Sequence, residues 1–149
     1  MADRHPWGDK LLAESAVKFY AVFDWQPMLS EMRLIKSPNE IRLMQQAGQI
    51  TAFGHIKAMQ VTRPNRFEYE IESEILHEFN RHGARFPSYN SIIAGGDNAC
   101  ILHYTENDQP LKDGDLVLID AGCEFAMYAG DITRTFPVNG QFTQPQRDI

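Results

Sequence analysis

Apolar residues recur at helical spacing before Gly83 and at strand-like spacing after it. Ser37, Pro38 and Glu40 form a helix start in which serine and glutamate can satisfy each other's orphan amides. Behind that start, Ile41, Met44, Gly48, Thr51 or Ala52, His55 and Met59 predict one apolar stripe that ends before Pro64. His55, on or beside the stripe, reads as a core-edge histidine rather than a ligand. A second helix is expected from a cap at Asn65, completed by Glu68, to Gly83, with Ile71, Ile75, Leu76 and Phe79 facing inward. Glu68, Glu70, Glu72 and Glu74 come early and His77, Arg81 and His82 late, an order that suits the helix dipole, and the acids read as a solvated face.

Beyond Gly83, strands are expected at 91–94, 99–103, 116–120 and about 128–136, separated by Gly, Asn, Asp and Pro turns. Two helices followed by an antiparallel sheet make an α+β organisation. Upstream, residues 11–23 read as a short helix with weak caps. Residues 24–36 read as an extended connector, because Pro27 opposes a helix there, with Trp25, Met28, Leu29, Met32 and Leu34 available for docking. The expected division is a poorly legible segment and connector at 1–36 and a folded domain at 37–149. Thr143, Pro145 and Gln146 look like a helix start with barely a turn and a half after it, as if the sequence were cut there.

Composition narrows the function classes. In 149 residues, 43% are apolar and 23% charged, which fits a folded soluble chain with one modest core. The net charge of −6, with Lys and Arg scattered, argues against a nucleic-acid partner. The absence of a long apolar run argues against a membrane span, and the polar N-terminus points to a cytoplasmic protein. Cys100 and Cys123 fit no paired spacing and read as ordinary thiols rather than a disulfide or zinc site.

The strongest candidate chemistry is a carboxylate hairpin. If its turn is centred between Phe125 and Ala126, Cys123 faces Tyr128, Ala121 faces Gly130 and Asp120 faces Asp131. Opposed Cβ atoms then lie about 4.5–5.5 Å apart. Asp120 shares a strand face with Leu116 and Leu118, which is expected to point inward. Two carboxylates side by side in a partly buried place repel each other, and a divalent cation is the simplest compensation. The bland alternative is that Asp120 caps a strand and Asp131 bonds to Thr133 or Arg134. Two aspartates are also too few ligands for a hard divalent ion, which takes about six.

The run Leu118-Ile119-Asp120-Ala121-Gly122-Cys123-Glu124, followed by Tyr128-Ala129-Gly130-Asp131-Ile132-Thr133-Arg134-Thr135-Phe136-Pro137, resembles the first two metal-ligand strands of the aminopeptidase P and prolidase family. Arg81-His82-Gly83-Ala84-Arg85-Phe86-Pro87-Ser88-Tyr89-Asn90 and Ile101-Leu102-His103-Tyr104-Thr105-Glu106-Asn107 are similar to the Xaa-Pro aminopeptidase branch, as are Asp24-Trp25-Gln26-Pro27 and residues 31–38. The resemblance implies a pita-bread fold, two divalent metal ions, manganese most often, and hydrolytic removal of an N-terminal residue preceding proline in peptides. It makes Asp120 and Asp131 metal ligands and His103 an active-site histidine that contacts substrate. From the residues alone, His103 could equally be a strand-end histidine bonded to backbone.

Three departures qualify this reading. The family takes a ligand histidine and two ligand glutamates from downstream of the second aspartate. Nothing follows Ile149, and His55, His77, His82 and Glu106 do not match those positions. Met127 stands where the family often has glycine, and the residues before Asp24 match the usual N-terminal domain poorly. The expectation is therefore an N-terminal fragment of a catalytic domain, inactive by itself. The alternative is a silent binding or structural module that self-associates or needs a partner chain to complete the site.

Overall fold

The computed structural model describes residues 24–149, and the helix expected at 11–23 lies outside them. The chain divides after Lys36 into two compact units. The described part of the first contains helix α1, Gln26–Leu34, where an extended connector was expected. Pro27 falls in the first turn, where its missing N–H has no intrahelical partner to lose. Asp24 Oδ1 accepts from Gln26 N at 3.0 Å and begins the helix. No residue of α1 is buried.

The second unit begins with α2, Pro38–Val61, started as expected: Ser37 N donates to Glu40 Oε2 at 2.6 Å, and Glu40 N to Ser37 Oγ at 3.3 Å. Its buried line differs from the expected stripe. It comprises Ala47, Ile50, Thr51, Gly54, His55 and Ala58, whereas Ile41, Met44 and Met59 are 41–46% exposed. Small residues face inward because neighbouring backbone and rings come close to this helix.

Helix α3, Glu68–Arg81, has its cap at Phe67, two residues later than expected, and Glu70 rather than Glu68 completes it. Asn65 is left-handed (φ 69°) and gives its N–H to Leu111 O at 2.8 Å, and Phe67 N donates to Glu70 Oε2 at 2.7 Å. Ile71, Ile75 and Phe79 face inward as expected. Glu68 does not belong to a solvated face, being only 1% exposed.

Strands β2 (Ile92–Gly95), β3 (Leu116–Ala121) and β6 (Ile132–Pro137) form an antiparallel sheet in the order β2-β3-β6. A smaller antiparallel sheet joins β1 (Phe86–Pro87), β4 (Cys123–Phe125) and β5 (Tyr128–Ala129) in the order β1-β4-β5. No strand forms at 99–103. Gly96–Cys100 makes a 3-10 turn instead, held by side-chain bonds to Asn98. Thr143 starts the short α4, Gln144–Arg147, with its N–H on Gln146 Oε1 at 2.9 Å.

The core of the second unit lies between α2, α3 and one face of the larger sheet. Ile93, Val117, Ile119 and Ala121 pack with Ala47, Ile50, Ala58, Ile71, Ile75 and Phe79. The face of β3 that carries Leu116, Leu118 and Asp120 is therefore the half-exposed one, not the inward one expected. Both faces of this strand are apolar, so periodicity could not choose between them. Asp120 stands on an accessible surface backed by a solid core.

Candidate metal centre

The carboxylate hairpin closes through Ala126 and Met127, with φ of 50° and 71°. Two successive left-handed residues are the signature of a tight two-residue turn matched to strand twist. Centring the turn there shifts the register by two from the expected one. Asp120 pairs with Thr133 and Ala121 with Ile132, not with Asp131 and Gly130. A shift of two preserves side-chain parity. Continued past Ile132, the same register sets Asp131 opposite Gly122, on the same side as Asp120 and diagonal to it.

The two aspartates converge on one phenol. Tyr89 Oη donates to Asp120 Oδ1 at 2.5 Å and lies 3.0 Å from Asp131 Oδ1. Burial, followed by its bond to Asp120, pushes the Tyr89 hydroxyl far above its ordinary value, so it stays a donor. Among the described residues no ion pair reaches either aspartate. Arg134 turns its Nη1 to the carbonyl of Thr133. The Oδ2 atoms accept no hydrogen bond among the described residues, which leaves an oxygen of each carboxylate available to a hard cation.

Around Gly122 the backbone is fixed from two directions. Helix α2 places His55 Nε2 3.1 Å from Ala121 O, and Thr51 Oγ1 accepts from Cys123 N at 3.1 Å. Cys123 Sγ sits 3.3 Å from Ala47 O. From the other side, Ser88 N donates to Gly122 O at 2.9 Å and Ser88 Oγ to Gly130 O at 2.8 Å. A Cβ at Gly130 would stand 2.2 Å from Thr51 Oγ1 and 2.8 Å from Ala47 O, so glycine is what lets the hairpin seat on α2. His55 is indeed a buried core histidine, and burial holds its imidazole below the ordinary value.

His103 is not on a strand. It is exposed, left-handed (φ 55°), and follows the 3-10 turn. No hydrogen bond among the described residues joins it to Asp120 or Asp131. No group of three or more His, Cys, Asp or Glu side chains able to hold a metal exists among the described residues. No described helix is long and apolar enough to cross a membrane.

The pattern of metallopeptidase family M24 matches residues 42–149. The chain belongs to that family. It is 86% identical over 145 residues to a Xaa-Pro aminopeptidase of Haemophilus influenzae, covering 97% of this chain and 34% of that protein. Against the Xaa-Pro aminopeptidase of Escherichia coli it is 65% identical, covering 86% of this chain and 29% of the relative. Among solved structures, a zinc-substituted E. coli aminopeptidase P in complex with product superposes with a TM-score of 0.84 at 65% identity, over 85% of this chain and 29% of that one. Proline aminopeptidase P II from Yersinia pestis gives 0.82 at 65% identity, over 83% and 28%. The chain thus spans about a third of the length of these relatives, and its fold is part of an α+β pita-bread domain.

Neither Tyr89 nor Ser88 stands out in the sequence as a neighbour of the two aspartates, although both lie in the run from Arg81 to Asn90. The available signal was position: they precede β2, whose Ile92 pairs with Asp120.

Proposed function

We propose that Asp120 and Asp131 are two carboxylate ligands of a two-metal Xaa-Pro aminopeptidase centre that takes manganese, with His103 facing the peptide substrate. The convergence of both carboxylates on Tyr89 carries this reading, because it brings two hard oxygen donors together on an accessible face without a compensating Arg or Lys. When bound, divalent ions supply acidified water and polarise the scissile carbonyl. The chain's own part is positional. Tyr89 donates to Asp120 Oδ1 and lies 3.0 Å from Asp131 Oδ1, while Ser88, Thr51 and His55 fix the backbone between them. Two carboxylates do not fill a divalent ion's shell, so the remaining ligands come from outside residues 24–149. By itself this chain hydrolyses Xaa-Pro peptides poorly or not at all.

A second reading is a silent binding module, completed only by a partner chain. The observation in its favour is that no group of three or more His, Cys, Asp or Glu side chains among the described residues could hold a metal ion. Joining this chain to the remaining part of the Haemophilus relative separates the two. The joined protein should hydrolyse a Xaa-Pro peptide with Mn²⁺ and lose at least about 100-fold of that activity in Asp120→Asn or Asp131→Asn. Activity indifferent to both substitutions, or full-rate hydrolysis by the isolated 149-residue chain, would sink the proposal.

A further inference from the structure

Glu68 is a buried carboxylate outside the metal centre, and four donors converge on it. Its Oε1 accepts from Gly95 N at 2.8 Å and Asn98 Nδ2 at 3.0 Å, and its Oε2 from Tyr104 Oη at 2.7 Å and Gln109 N at 3.0 Å. These donors belong to the entry and the exit of the segment 96–109, which leaves β2 and returns to α3 where Pro110 bridges Phe67. His103 lies within that segment, one residue before Tyr104.

A second carboxylate of α3 holds the exit through Asn107. This asparagine is 2% exposed and left-handed (φ 49°). Its Oδ1 accepts from Ile93 N at 2.9 Å, and its Nδ2 donates to Ser91 O at 2.9 Å and to Glu72 Oε2 at 3.1 Å. His103 has φ of 55° while its side chain is exposed. Left-handed non-glycine residues cost free energy and persist where the surroundings over-determine them. The restraint comes from residues on either side of His103 rather than from its own side chain.

We infer that Glu68 is a positioning residue: it clamps both ends of segment 96–109 onto α3 and so presents the His103 imidazole in one place. This inference rests on the reading of His103 as the substrate-facing histidine. Glutamine at position 68 offers one carbonyl oxygen to four donors: turned toward Gly95 N and Asn98 Nδ2, which can only donate, it sets its amide against Gln109 N while Tyr104 Oη can turn to accept, so Glu68→Gln loosens the exit side first. Burial, and then its bond to Glu68, pushes the Tyr104 hydroxyl up to about 12, so loss of the bond alone lowers it only in part.

Hydrogen exchange and tyrosine titration on the 149-residue chain test the clamp. In Glu68→Gln, amides of 101–109 should exchange at least about tenfold faster while β3 and β6 amides keep their protection, and the Tyr104 titration should move down. Loss of protection throughout the sheet in step with the loop, or an unchanged loop, overturns the inference. Kinetics on the joined protein described above test the consequence: Glu68→Gln should lower kcat by about tenfold and leave KM nearly unchanged. If His103→Ala lowers kcat but Glu68→Gln does not, the inference fails and the reading of His103 stands. If His103→Ala has no effect, the reading of His103 fails first and takes the inference with it.

Discussion

The hydroxyl of Tyr89 gives its one proton to Asp120 Oδ1 and lies 3.0 Å from Asp131 Oδ1, which offsets part of the repulsion between the like charges and leaves the pair negative toward a cation. Tyr89→Phe should cost about 1–3 kcal/mol in denaturant unfolding, the range for stripping a donor from a partly buried charged acceptor. Millimolar Mn²⁺ should restore part of that loss, because a ligand that binds only the folded state stabilises it. An equal loss with and without Mn²⁺ would separate Tyr89 from the metal site. His55 contributes at the same scale. Its folded-state value lies below 6.5, chiefly through burial, so in the window below 6.5 the unfolded chain takes up the proton first. Stability is therefore fully present above that value and falls as pH drops through the window, by up to about 1.4 kcal/mol per pH unit from this one group. Unfolding of wild type and His55→Gln at pH 7 and pH 5 checks this: the variant should lose less on acidification.

Among the elements, the hairpin and α2 act as one body, because the hairpin seats on the Ala47 carbonyl and the Thr51 hydroxyl of α2. Gly130→Ala forces a methyl into Thr51 and the Ala47 carbonyl, and a cost of about 1–3 kcal/mol is expected in equilibrium unfolding. A neutral result would show that the seat is loose. The capping motif at Ser37, the inward residues of α3 and the core sheet strands were legible in the sequence, since each is a local pattern of cap or period. Three features were not. The hairpin register depended on which two residues would turn, and neither Ala126 nor Met127 carries the usual glycine signal. Helix α1 formed because Pro27 falls in the first turn, a position that differs from mid-helix only once the start is known. Glu68 looked like one acid of four, and only tertiary donors distinguish it from its neighbours.

At the scale of the whole molecule, the chain carries a solid core and an accessible carboxylate face, and it spans about a third of its M24 relatives. The carboxylate pair was legible from its motifs as a candidate pair of ligands, which is how it is proposed here. Its mode of support was not, because Tyr89, Ser88 and α2 reach it from distant parts of the chain. As proposed, Asp120 and Asp131 together receive a divalent ion without completing its shell. The most direct test is paramagnetic broadening of amide and side-chain NMR signals by Mn²⁺ on the 149-residue chain. Broadening should centre on Asp120, Asp131 and Tyr89, require roughly millimolar Mn²⁺ as expected of a site short of ligands, and vanish in Asp120→Asn. Broadening centred elsewhere, or tight stoichiometric binding of two ions, would contradict an incomplete centre at this pair.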